Sequence, residues 1–179
     1  MEKEENALIL DYLPYGYPMD KKMAPLAQAI GTKNFTLLQL IPRRGIKLEV
    51  GEIVYIGEGK RDKIYYIQGK LPENKLTETT KQQIKDFIEK KVLENERKFV
   101  DFFNTAQAIN TRLHQFELLP GFGKKHTESI LEERNKKLFE SLDDLRKRVT
   151  NLPDPRKVIE KRLMEEIIGK EKYCLFINE

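Results

Sequence analysis

The sequence predicts an α+β protein in which a small N-terminal OB-like β-barrel is followed by a helical domain. Between Ala7 and Leu71 the apolar residues form short runs rich in Ile, Val, Leu, Phe and Tyr, separated by Gly, Pro and charged residues, which is typical of strands and turns. From Thr77 onward the apolar residues recur at steps of three or four, as on one face of an α-helix. A barrel is favoured over an open sheet because an open sheet of this size would leave exposed edges.

Four runs predict strands of the barrel, which we expect to span residues 1–76. They are "ALILDYL" at 7–13, "NFTLLQLIP" at 34–42, "EIVYIG" at 52–57 and "KIYYIQGKL" at 63–71. The segment "GEGKRDK" at 57–63 has the composition of a turn, so the last two runs are predicted to pair as a hairpin. "PYGYPMD" at 14–20 is predicted to be an irregular loop, because closely spaced Pro and Gly residues suit neither a helix nor a strand ladder.

The helical part begins with a connecting helix predicted over residues 77–104, with Thr77 or Thr79 as its cap. Its apolar stripe continues toward Pro120, so the segment is either one long helix or two helices with a bend near "ENERK" at 94–98. Pro120 is expected to end it, because the residue before a proline resists helical geometry.

Residues 105–179 are predicted to form a second domain with three more helices. Two of them lie in "KKHTESILEERNKKLF" at 124–139 and in "SLDDLRKRV" at 141–149, the latter with Ser141 as cap. Asp154 followed by Pro155 predicts the start of the third, and Gly169 predicts its end. "KYCLFINE" at 172–179 is predicted to be a strand that could return to the sheet of the barrel.

Composition narrows the classes of function. The 179 residues are 39% hydrophobic and 35% charged, as in a globular protein with a heavily solvated surface. No apolar run reaches the roughly 18 residues of a membrane span, and the charged N-terminus does not resemble a signal peptide, so we expect a cytoplasmic protein with no membrane partner. A single cysteine, Cys174, and two histidines exclude disulfide and zinc scaffolds.

The positive charge is concentrated in the first half of the chain. Between Gly31 and Lys70 there are eight basic and four acidic residues, and this excess equals the net charge of +4 of the whole chain. A basic first half favours an anionic partner such as nucleic acid. The alternative is that the lysines solvate strand edges and loops.

The segment "FELLPGFGKKHTESILEER" at 116–134 places two glycines and a proline between two predicted helices. A helix that starts directly after a tight turn exposes unpaired amides, which attract an anion together with the helix dipole. Gly121 and Gly123 would let a phosphate approach, and Lys124 and Lys125 follow immediately. Phe122, between the glycines, is predicted to pack back into the helix pair.

On the residues "LLPGFGKK" and "SILEER", the segment 107–141 resembles the helix-hairpin-helix motif of nucleic-acid-binding proteins. The resemblance implies phosphate contacts without base reading, and a bound monovalent cation is the one cofactor that it suggests. The implied contacts are the backbones of Gly121, Phe122, Gly123 and Lys124 and the side chains of Lys125 and Thr127. His126 departs from the motif, which usually has an apolar or small residue there.

The order of parts also resembles an archaeal family of unassigned activity that joins an OB-like barrel to this hairpin. The parts are "LDYLPYGYP" at 10–18, the hairpin in the middle and "YCLFI" at 173–177. The family resemblance implies this architecture and binding of RNA or DNA, and it implies no reaction.

A second, degenerate hairpin is suggested by an ungapped match of "LPGFGKKHTESILEER" at 119–134 with "LPDPRKVIEKRLMEEI" at 152–167. Asp154 and Arg156 replace the two glycines in it, so a phosphate could not approach there in the same way. We expect this copy to pack against the first without binding, and the alternative is a chance match between two helix starts.

Aromatic residues on the predicted strands offer a second nucleic-acid contact. OB-like sheets bind single strands by stacking bases on exposed aromatics between basic residues. Tyr55 and Tyr65 are the candidates, and strand alternation predicts that Tyr65 and Tyr66 point to opposite faces, so that only one of them can stack. Basic residues in adjacent turns support this interpretation: Arg43, Arg44, Lys60, Arg61 and Lys63. The alternative is that these aromatics serve packing alone.

No catalytic motif is found, because the sequence lacks GxSxG, HExxH, Walker and dinucleotide patterns. Asp143 and Asp144 have the position of a glycosylase carboxylate but fit helix-start carboxylates better. We therefore expect a non-enzymatic protein that binds nucleic acid without sequence specificity, with RNA slightly favoured over DNA. The alternative is a protein-interaction module within a ribonucleoprotein or repair complex.

Overall fold

A computed structural model describes residues 3–169 and 171–177 of the chain. The chain forms two compact units, one of Met1–Asp86 with Glu166–Glu179 and one of Phe87–Glu165. The predicted α+β class is confirmed, since the described residues form a curled five-stranded antiparallel half-barrel sheet and five α-helices.

The half-barrel lies in the first unit. Its strands are β1 (Asn6–Leu13), β2 (Leu26–Gly31), β3 (Leu37–Pro42), β4 (Ile53–Tyr55) and β5 (Ile64–Lys70). Their order in the sheet is β4-β1-β2-β3-β5, and each neighbouring pair is antiparallel. The first three strands form a meander and β4 returns beside β1, which is Greek-key order.

The inner face of the half-barrel is an apolar core. Ala7, Ala27 and Ala29 on β1 and β2 are fully buried, and their short side chains leave room for the large ones of the neighbouring strands. The remaining core residues are Ile9, Leu38, Leu40, Leu48, Val54, Ile56 and Ile64.

Strand β2 was not among the predicted runs, although it lies at the centre of the sheet. All six residues of "LAQAIG" are buried, so the segment lacks the alternation of a half-exposed strand, and Ala and Gln give it little β propensity. Gln28 is fully buried because its amide is satisfied: Nε2 donates to the Lys75 carbonyl at 2.6 Å and Oε1 accepts the Thr77 amide at 3.2 Å.

The predicted hairpin of β4 and β5 is wrong. Within residues 3–169 and 171–177, β4 pairs with β1 alone and β5 with β3 alone, so the two strands lie at opposite ends of the sheet. The Ile56 amide donates to the Glu5 carbonyl at 2.7 Å, and the Ile9 amide donates to the Glu52 carbonyl at 2.9 Å, which fixes β4 on β1. The segment between β4 and β5 is therefore a connection between the two ends of the sheet.

The helices are α1 (Glu78–Glu94), α2 (Glu96–Thr105), α3 (Lys124–Lys136), α4 (Leu142–Arg148) and α5 (Pro155–Ile168). Of the two alternatives left open for this segment, two helices with a bend near residues 94–98 is the one observed, because Asn95 separates α1 from α2 with a non-helical backbone. Thr77 is the cap of α1, where its Oγ1 accepts the Thr80 amide at 3.1 Å.

The predicted continuation of the helix to Pro120 is wrong. Helix α2 ends at Thr105, and strands β6 (Ala108–Asn110) and β7 (Leu113–His114) form a small hairpin followed by a 3-10 turn, Gln115–Leu118. A polar side chain takes a backbone group that a helix would use, because Gln115 Oε1 accepts the Gln107 amide at 2.8 Å.

Local signals for the last two helices are confirmed. The Ser141 hydroxyl accepts the Asp144 amide at 2.9 Å, and Asp154 Oδ1 accepts the Arg156 amide at 3.1 Å. Helix α5 begins at Pro155 and ends before Gly169, whose φ is +83°.

The predicted C-terminal strand is wrong for residues 172–177, and Asn178 and Glu179 lie outside the described residues. The segment is a series of bends in the same compact unit as the half-barrel. The Leu175, Phe176 and Ile177 amides donate to the Glu166 carboxylate at 2.7, 3.0 and 3.2 Å. A strand would need these amides for its ladder, so this carboxylate replaces a neighbouring strand as their acceptor.

Candidate nucleic-acid interface

The glycine loop, Leu119–Gly123, is a tight turn that leads directly into α3. The Phe122 amide donates to the Leu119 carbonyl at 3.1 Å, and Gly121 has φ +79°. Pro120 and Gly121 therefore occupy the two central positions of a turn with the type II pattern, which requires positive φ at its third residue. An added Cβ on Gly121 would lie 3.6 Å from Pro153 Cγ, an ordinary contact, so the backbone conformation and not crowding requires this glycine.

Gly123 has no such requirement. Its φ of −118° is open to any residue, and an added Cβ would meet no atom of the described chain within 4 Å. Neither backbone strain nor crowding therefore explains the missing side chain, although Gly123 is the N-cap of α3, where glycine is favoured over alanine. What it leaves is open space in front of the first turn of α3.

The first turn of α3 has unpaired amides. The first helical bond runs from the Thr127 amide to the Gly123 carbonyl at 3.1 Å. The amides of Lys124, Lys125 and His126 precede it and have no acceptor in the part of the chain that the structure describes. They and the dipole of the helix create a positive potential at the end that faces the glycine loop.

His126 links the glycine loop to the loop before α5. Its Nδ1 accepts the Gly123 amide at 3.2 Å, and its Nε2 lies 3.2 Å from the Asn151 carbonyl oxygen. Because Nδ1 accepts, Nε2 carries the proton and donates, which assigns the neutral Nε2–H tautomer. The departure of His126 from the helix-hairpin-helix pattern thus has a structural role, and it occupies the Gly123 amide.

The other candidates around the loop differ in what they present to solvent. Phe122 is buried, with its ring 6.3 Å from that of Phe103, as predicted for a residue that packs back. Thr127 is buried and its hydroxyl donates to the Gly123 carbonyl at 3.1 Å, so it does not face a ligand. Lys124 Nζ lies 3.3 Å from a Glu117 carboxylate oxygen, whereas Lys125 is exposed and has no ion pair within the described residues.

The loop before α5, residues 151–154, is linked to the start of α3 by the contact of His126 Nε2 with the Asn151 carbonyl oxygen, and its Pro153 lies 3.6 Å from the position of an added Cβ on Gly121. Its Asn151 has φ +59°, a conformation that Asn tolerates better than most residues. Asp154 caps α5, so a carboxylate already occupies the position where an anion would bind. In the ungapped match, Lys124 at the start of α3 is aligned with Lys157. Helix α5 begins two positions earlier, at Pro155, so the two helix starts are not equivalent.

The five basic candidates of the first unit, here called the basic rim, lie at the β3–β5 end of the half-barrel and in the loop before β5. They are Arg43, Arg44, Lys60, Arg61 and Lys63. The Arg43 amide donates to the Lys63 carbonyl at 2.8 Å. Arg43 Nε donates to the Arg61 carbonyl and Arg61 Nε to the Gly57 carbonyl, both at 2.7 Å.

Lys63 differs from the rest of the basic rim because it forms an ion pair with Glu52. Partial burial acts to raise the pKa of Glu52, but the hydrogen bonds from Lys63 and from the Glu49 amide outweigh it and lower that pKa. Lys63 is therefore already neutralised, while Arg43, Arg44, Lys60 and Arg61 have no ion pair among residues 3–169 and 171–177.

Tyr55 and Tyr65 have different environments. The Tyr55 hydroxyl accepts the Gly59 amide at 3.1 Å, and its ring leaves no room for a side chain on Gly57, so it anchors the loop after β4. Tyr65 is 65% exposed and Tyr66 45% exposed. Their rings are 5.4 Å apart at an interplanar angle of 76°.

The expectation that Tyr65 and Tyr66 lie on opposite faces is wrong. On β3 the adjacent residues Pro42 and Ile41 pair with Ile64 and Tyr66 of β5, so Tyr65 is an extra residue without a partner in the register. This β-bulge breaks the alternation. Tyr66 was therefore missed as a candidate, and no signal in the sequence reveals the bulge, because a pair of aromatic residues also fits a regular strand.

Two side chains of types common in catalysis, Asp144 and His114, make structural contacts. Asp144 accepts the Glu140 amide at 3.0 Å and pairs with Arg148, and these contacts lower the pKa of its carboxyl group, as expected of a helix-start carboxylate. His114 is buried and its Nδ1 accepts the Phe116 amide at 3.1 Å. The described residues contain no group of three or more His, Cys, Asp and Glu side chains that could hold a metal ion, and no helix in them is long and apolar enough to cross a bilayer.

The fold and these surfaces define an α+β protein with a curled half-barrel sheet and a glycine turn that opens onto a helix start. The chain belongs to the family of proteins of unknown function DUF655, whose model matches residues 3–178. It is 43% identical over 180 residues to uncharacterized protein MJ0038 of Methanocaldococcus jannaschii, covering 99% of this chain and 82% of that protein. It is similar to the crystal structure of Af1531 from Archaeoglobus fulgidus, with a TM-score of 0.79 and 44% identity, over 97% of this chain and 99% of the other.

Proposed function

We propose that the protein binds nucleic acid without sequence specificity, with a backbone phosphate at the N-terminus of α3. The observation that carries the proposal is Gly123, which neither strain nor crowding requires and which keeps the space in front of three unpaired amides open. A phosphate is the anion that suits this geometry, because it accepts several hydrogen bonds at once and is stabilised by the positive end of the helix.

Lys125 is the side chain best suited to support this contact. It is exposed and has no ion pair within the described residues, whereas Lys124 is partly neutralised by Glu117 and bonded to the Arg112 carbonyl. Thr127 is left out of the proposed contact, because its hydroxyl is used inside the helix. The contact therefore consists of the amides of Lys124, Lys125 and His126 and the Lys125 ammonium group.

Two features support the architecture that the sequence resembles. The Leu119–Gly123 turn, followed at once by α3, has the form of the hairpin in the helix-hairpin-helix motif, although a 3-10 turn takes the place of its first helix. The Greek-key order of β1 to β4 is that of an OB-like barrel, although β5 runs antiparallel to β3 and leaves the barrel half open. By this analogy we favour RNA over DNA as the ligand.

The proposal includes no reaction. Asp143 and Asp144 lie at the start of α4, where Asp144 is held by the Glu140 amide and Arg148. A hydrolase would need a free carboxylate beside a nucleophile or water site, whereas the Asp144 carboxylate already accepts hydrogen bonds from the Glu140 amide and from Arg148.

The test is fluorescence anisotropy with matched single- and double-stranded RNA and DNA at several salt concentrations. Gly123→Ala should weaken binding to every ligand, because its methyl group stands in front of the phosphate, with a stability cost of no more than about 1 kcal/mol for the changed cap. Gly121→Ala should instead destabilise the protein by about 1–2 kcal/mol, because alanine resists positive φ. Thermal unfolding separates the two effects.

Two control variants complete the experiment. Ser129→Ala adds no bulk near the loop and should bind as the wild type does. Lys125→Gln should weaken binding and Lys147→Gln should not, although both remove one exposed positive charge from the same unit. Equal affinities of wild type and Gly123→Ala would contradict the phosphate contact, and a wild type that binds none of the four ligands at low salt would favour a protein-interaction module.

A further inference from the structure

The β-bulge in β5 creates an exposed pair of aromatic rings that the fold does not use. Tyr65 and Tyr66 are 65% and 45% exposed, and their rings contact each other edge to face. Aromatic side chains in a small sheet usually gain stability by burial, so two that are held together in solvent by an irregularity of the strand are unusual. Bulges are found next to binding sites, where they re-aim side chains.

Two arginines next to the start of β5, one after β3 and one in the loop before β5, are held in fixed positions. Arg43 Nε donates to the Arg61 carbonyl and Arg61 Nε to the Gly57 carbonyl, each at 2.7 Å. These bonds use one nitrogen of each guanidinium group and fix its orientation. The terminal nitrogens have no hydrogen-bond or ion-pair partner among the described residues, and they present the forked geometry that matches phosphate oxygens.

The strand register brings the rings and the arginines to the same end of the sheet. Arg43 directly follows Pro42, the partner of Ile64, and Tyr65 directly follows Ile64. The Arg43 amide is bonded to the Lys63 carbonyl, so the arginine adjoins the start of β5. Residues one or two positions apart on neighbouring strands are within reach of a single nucleotide.

We propose that this edge of the half-barrel, Arg43, Arg61, Tyr65 and Tyr66, binds single-stranded nucleic acid, with unpaired bases on the two rings and a phosphate on the guanidinium groups. The proposal rests on the proposed function in that the ligand is a nucleic acid. It adds a second binding site, in the other compact unit, that is specific for unpaired bases. The site reads no sequence, because every base has a face that can stack.

Ring geometry decides between single and double strands. In a duplex the faces of the bases are covered by their neighbours in the stack, so only an unpaired strand can offer them. The two rings are 76° apart in orientation, so they cannot continue one helical stack and would hold two bases splayed from each other. Proteins that bind a duplex by inserting a side chain between base pairs use a flat wedge, and two rings at 76° to each other do not form one.

Charge favours nucleic acid over the other ligands of an exposed aromatic pair. Arg43, Arg44, Lys60 and Arg61 have no ion pair within the described chain, and they leave a net positive charge beside the start of β5 even when Asp62 of the same loop is counted. An apolar peptide or a second copy of the chain, whose net charge is also +4, would leave these cations without anions.

The absence of tryptophan from the chain gives a direct measurement. Tyr65→Trp places a single tryptophan at the site, and stacking of a base should quench its fluorescence. The ligand is an unlabelled 12-nucleotide oligouridylate or oligothymidylate, compared with the corresponding duplexes. Tyr15→Trp is the matched control, because Tyr15 is 69% exposed in the same unit and away from the proposed site in sequence.

Affinity is measured on three double variants by anisotropy. Tyr65→Ala with Tyr66→Ala should weaken single-strand binding by about 5- to 150-fold for each base that loses its stack and leave duplex binding unchanged. Arg43→Gln with Arg61→Gln should weaken single-strand binding and reduce the slope of log K against log salt by about 0.7 for one phosphate. Lys21→Gln with Lys22→Gln removes the same charge from exposed positions in the same unit and should have less effect on both.

The outcomes separate this site from the glycine loop. Quenching of Tyr65→Trp by single strands alone, together with selective loss in the tyrosine variant, would establish it. Loss of binding in Gly123→Ala with full single-strand affinity in the tyrosine variant would overturn this inference and leave the proposed function standing. No binding by the wild type would overturn both, and a blue shift of Tyr65→Trp emission with rising protein concentration alone would show that a second copy covers the rings.

Discussion

Gly121 and Gly123 are two residues apart, yet their missing side chains have different physical reasons. Gly121 has positive φ at the third position of a turn, so its own backbone requires glycine. Gly123 has an ordinary backbone and open space where a Cβ would stand, so neither strain nor crowding requires glycine there. The distinction makes Gly123→Ala a test of binding and Gly121→Ala a test of folding.

His114 provides a prediction about pH at the same scale. Burial lowers the pKa of its imidazole, and the nearby Arg134 lowers it further against the opposite effect of Glu117. Its Nδ1 accepts the Phe116 amide, a bond that protonation removes. The unfolded chain therefore binds a proton that the folded protein does not, and stability should fall as the pH decreases below the unfolded value of about 6.5, by at most about 1.4 kcal/mol per pH unit.

Chemical denaturation between pH 8 and pH 5 checks this expectation. The His114→Asn variant, whose Oδ1 can accept the same amide, should have lower overall stability but lack this part of the pH dependence. Carboxyl groups with lowered pKa values, such as Glu117 and Asp144, lose their contribution at lower pH, toward and below their unfolded values near 4. Identical pH profiles of the wild type and the variant above pH 5 would contradict the role of His114.

Among the elements, helix ends follow local rules and strands depend on their neighbours. Thr77, Ser141, Asp154 and Gly169 mark helix ends where the sequence predicts them. The segment 172–177 has the composition of a strand and forms none, because the Glu166 carboxylate takes its amides. One buried carboxylate on α5 thus determines the structure of a segment about ten residues later.

Replacing this carboxylate should release the C-terminal segment. In Glu166→Gln one oxygen acceptor becomes a donor and the charge is lost, so the hydrogen bonds to the Leu175, Phe176 and Ile177 amides weaken. Because a hydrogen bond to a charged group contributes about 1.5–3 kcal/mol, we expect a loss of about 2–3 kcal/mol. Hydrogen exchange of these three amides should become faster, while exchange in β1 and β2 should change less.

Glu165→Gln is the control for this prediction. It removes the same charge from the neighbouring residue and should leave exchange at residues 175–177 as in the wild type. Equal protection of these amides in the Glu166→Gln variant would show that packing of the segment, and not the carboxylate, holds it in place.

For the whole molecule, the two proposed contacts lie in different compact units, Gly123 in one and Tyr65 with Tyr66 in the other. Among the residues that the structure describes they share no hydrogen-bond partner, so their variants should act independently on the free energy of binding to a single strand. The cycle compares the wild type, Gly123→Ala, the double variant Tyr65→Ala with Tyr66→Ala, and the triple variant. We expect the loss of binding free energy in the triple variant to equal the sum of the losses in the other two variants within about 0.5 kcal/mol.

Anisotropy titrations of the four proteins with one 12-nucleotide single strand complete this cycle. A larger deviation would show that the two sites are coupled, either because one strand must occupy both or because one site orders the other. Duplex ligands provide the internal control, since only the glycine variant should affect them.

Local sequence was sufficient to predict the starts of α1, α3, α4 and α5 and the turn that leads into α3, because these depend on caps, prolines and glycines that act over a few residues. It left open whether residues 77–119 bend, and it did not predict the end of α2. It also determined that Phe122 packs inward. Tertiary structure alone decided which strands pair, because β2 is buried on both faces and shows no alternation, and β4 joins β1 across a long stretch of sequence. The exposed tyrosine pair depends on a bulge in β5, and the bends at residues 172–177 depend on the Glu166 carboxylate. Neither could be predicted, because neighbouring residues in the sequence do not specify these contacts.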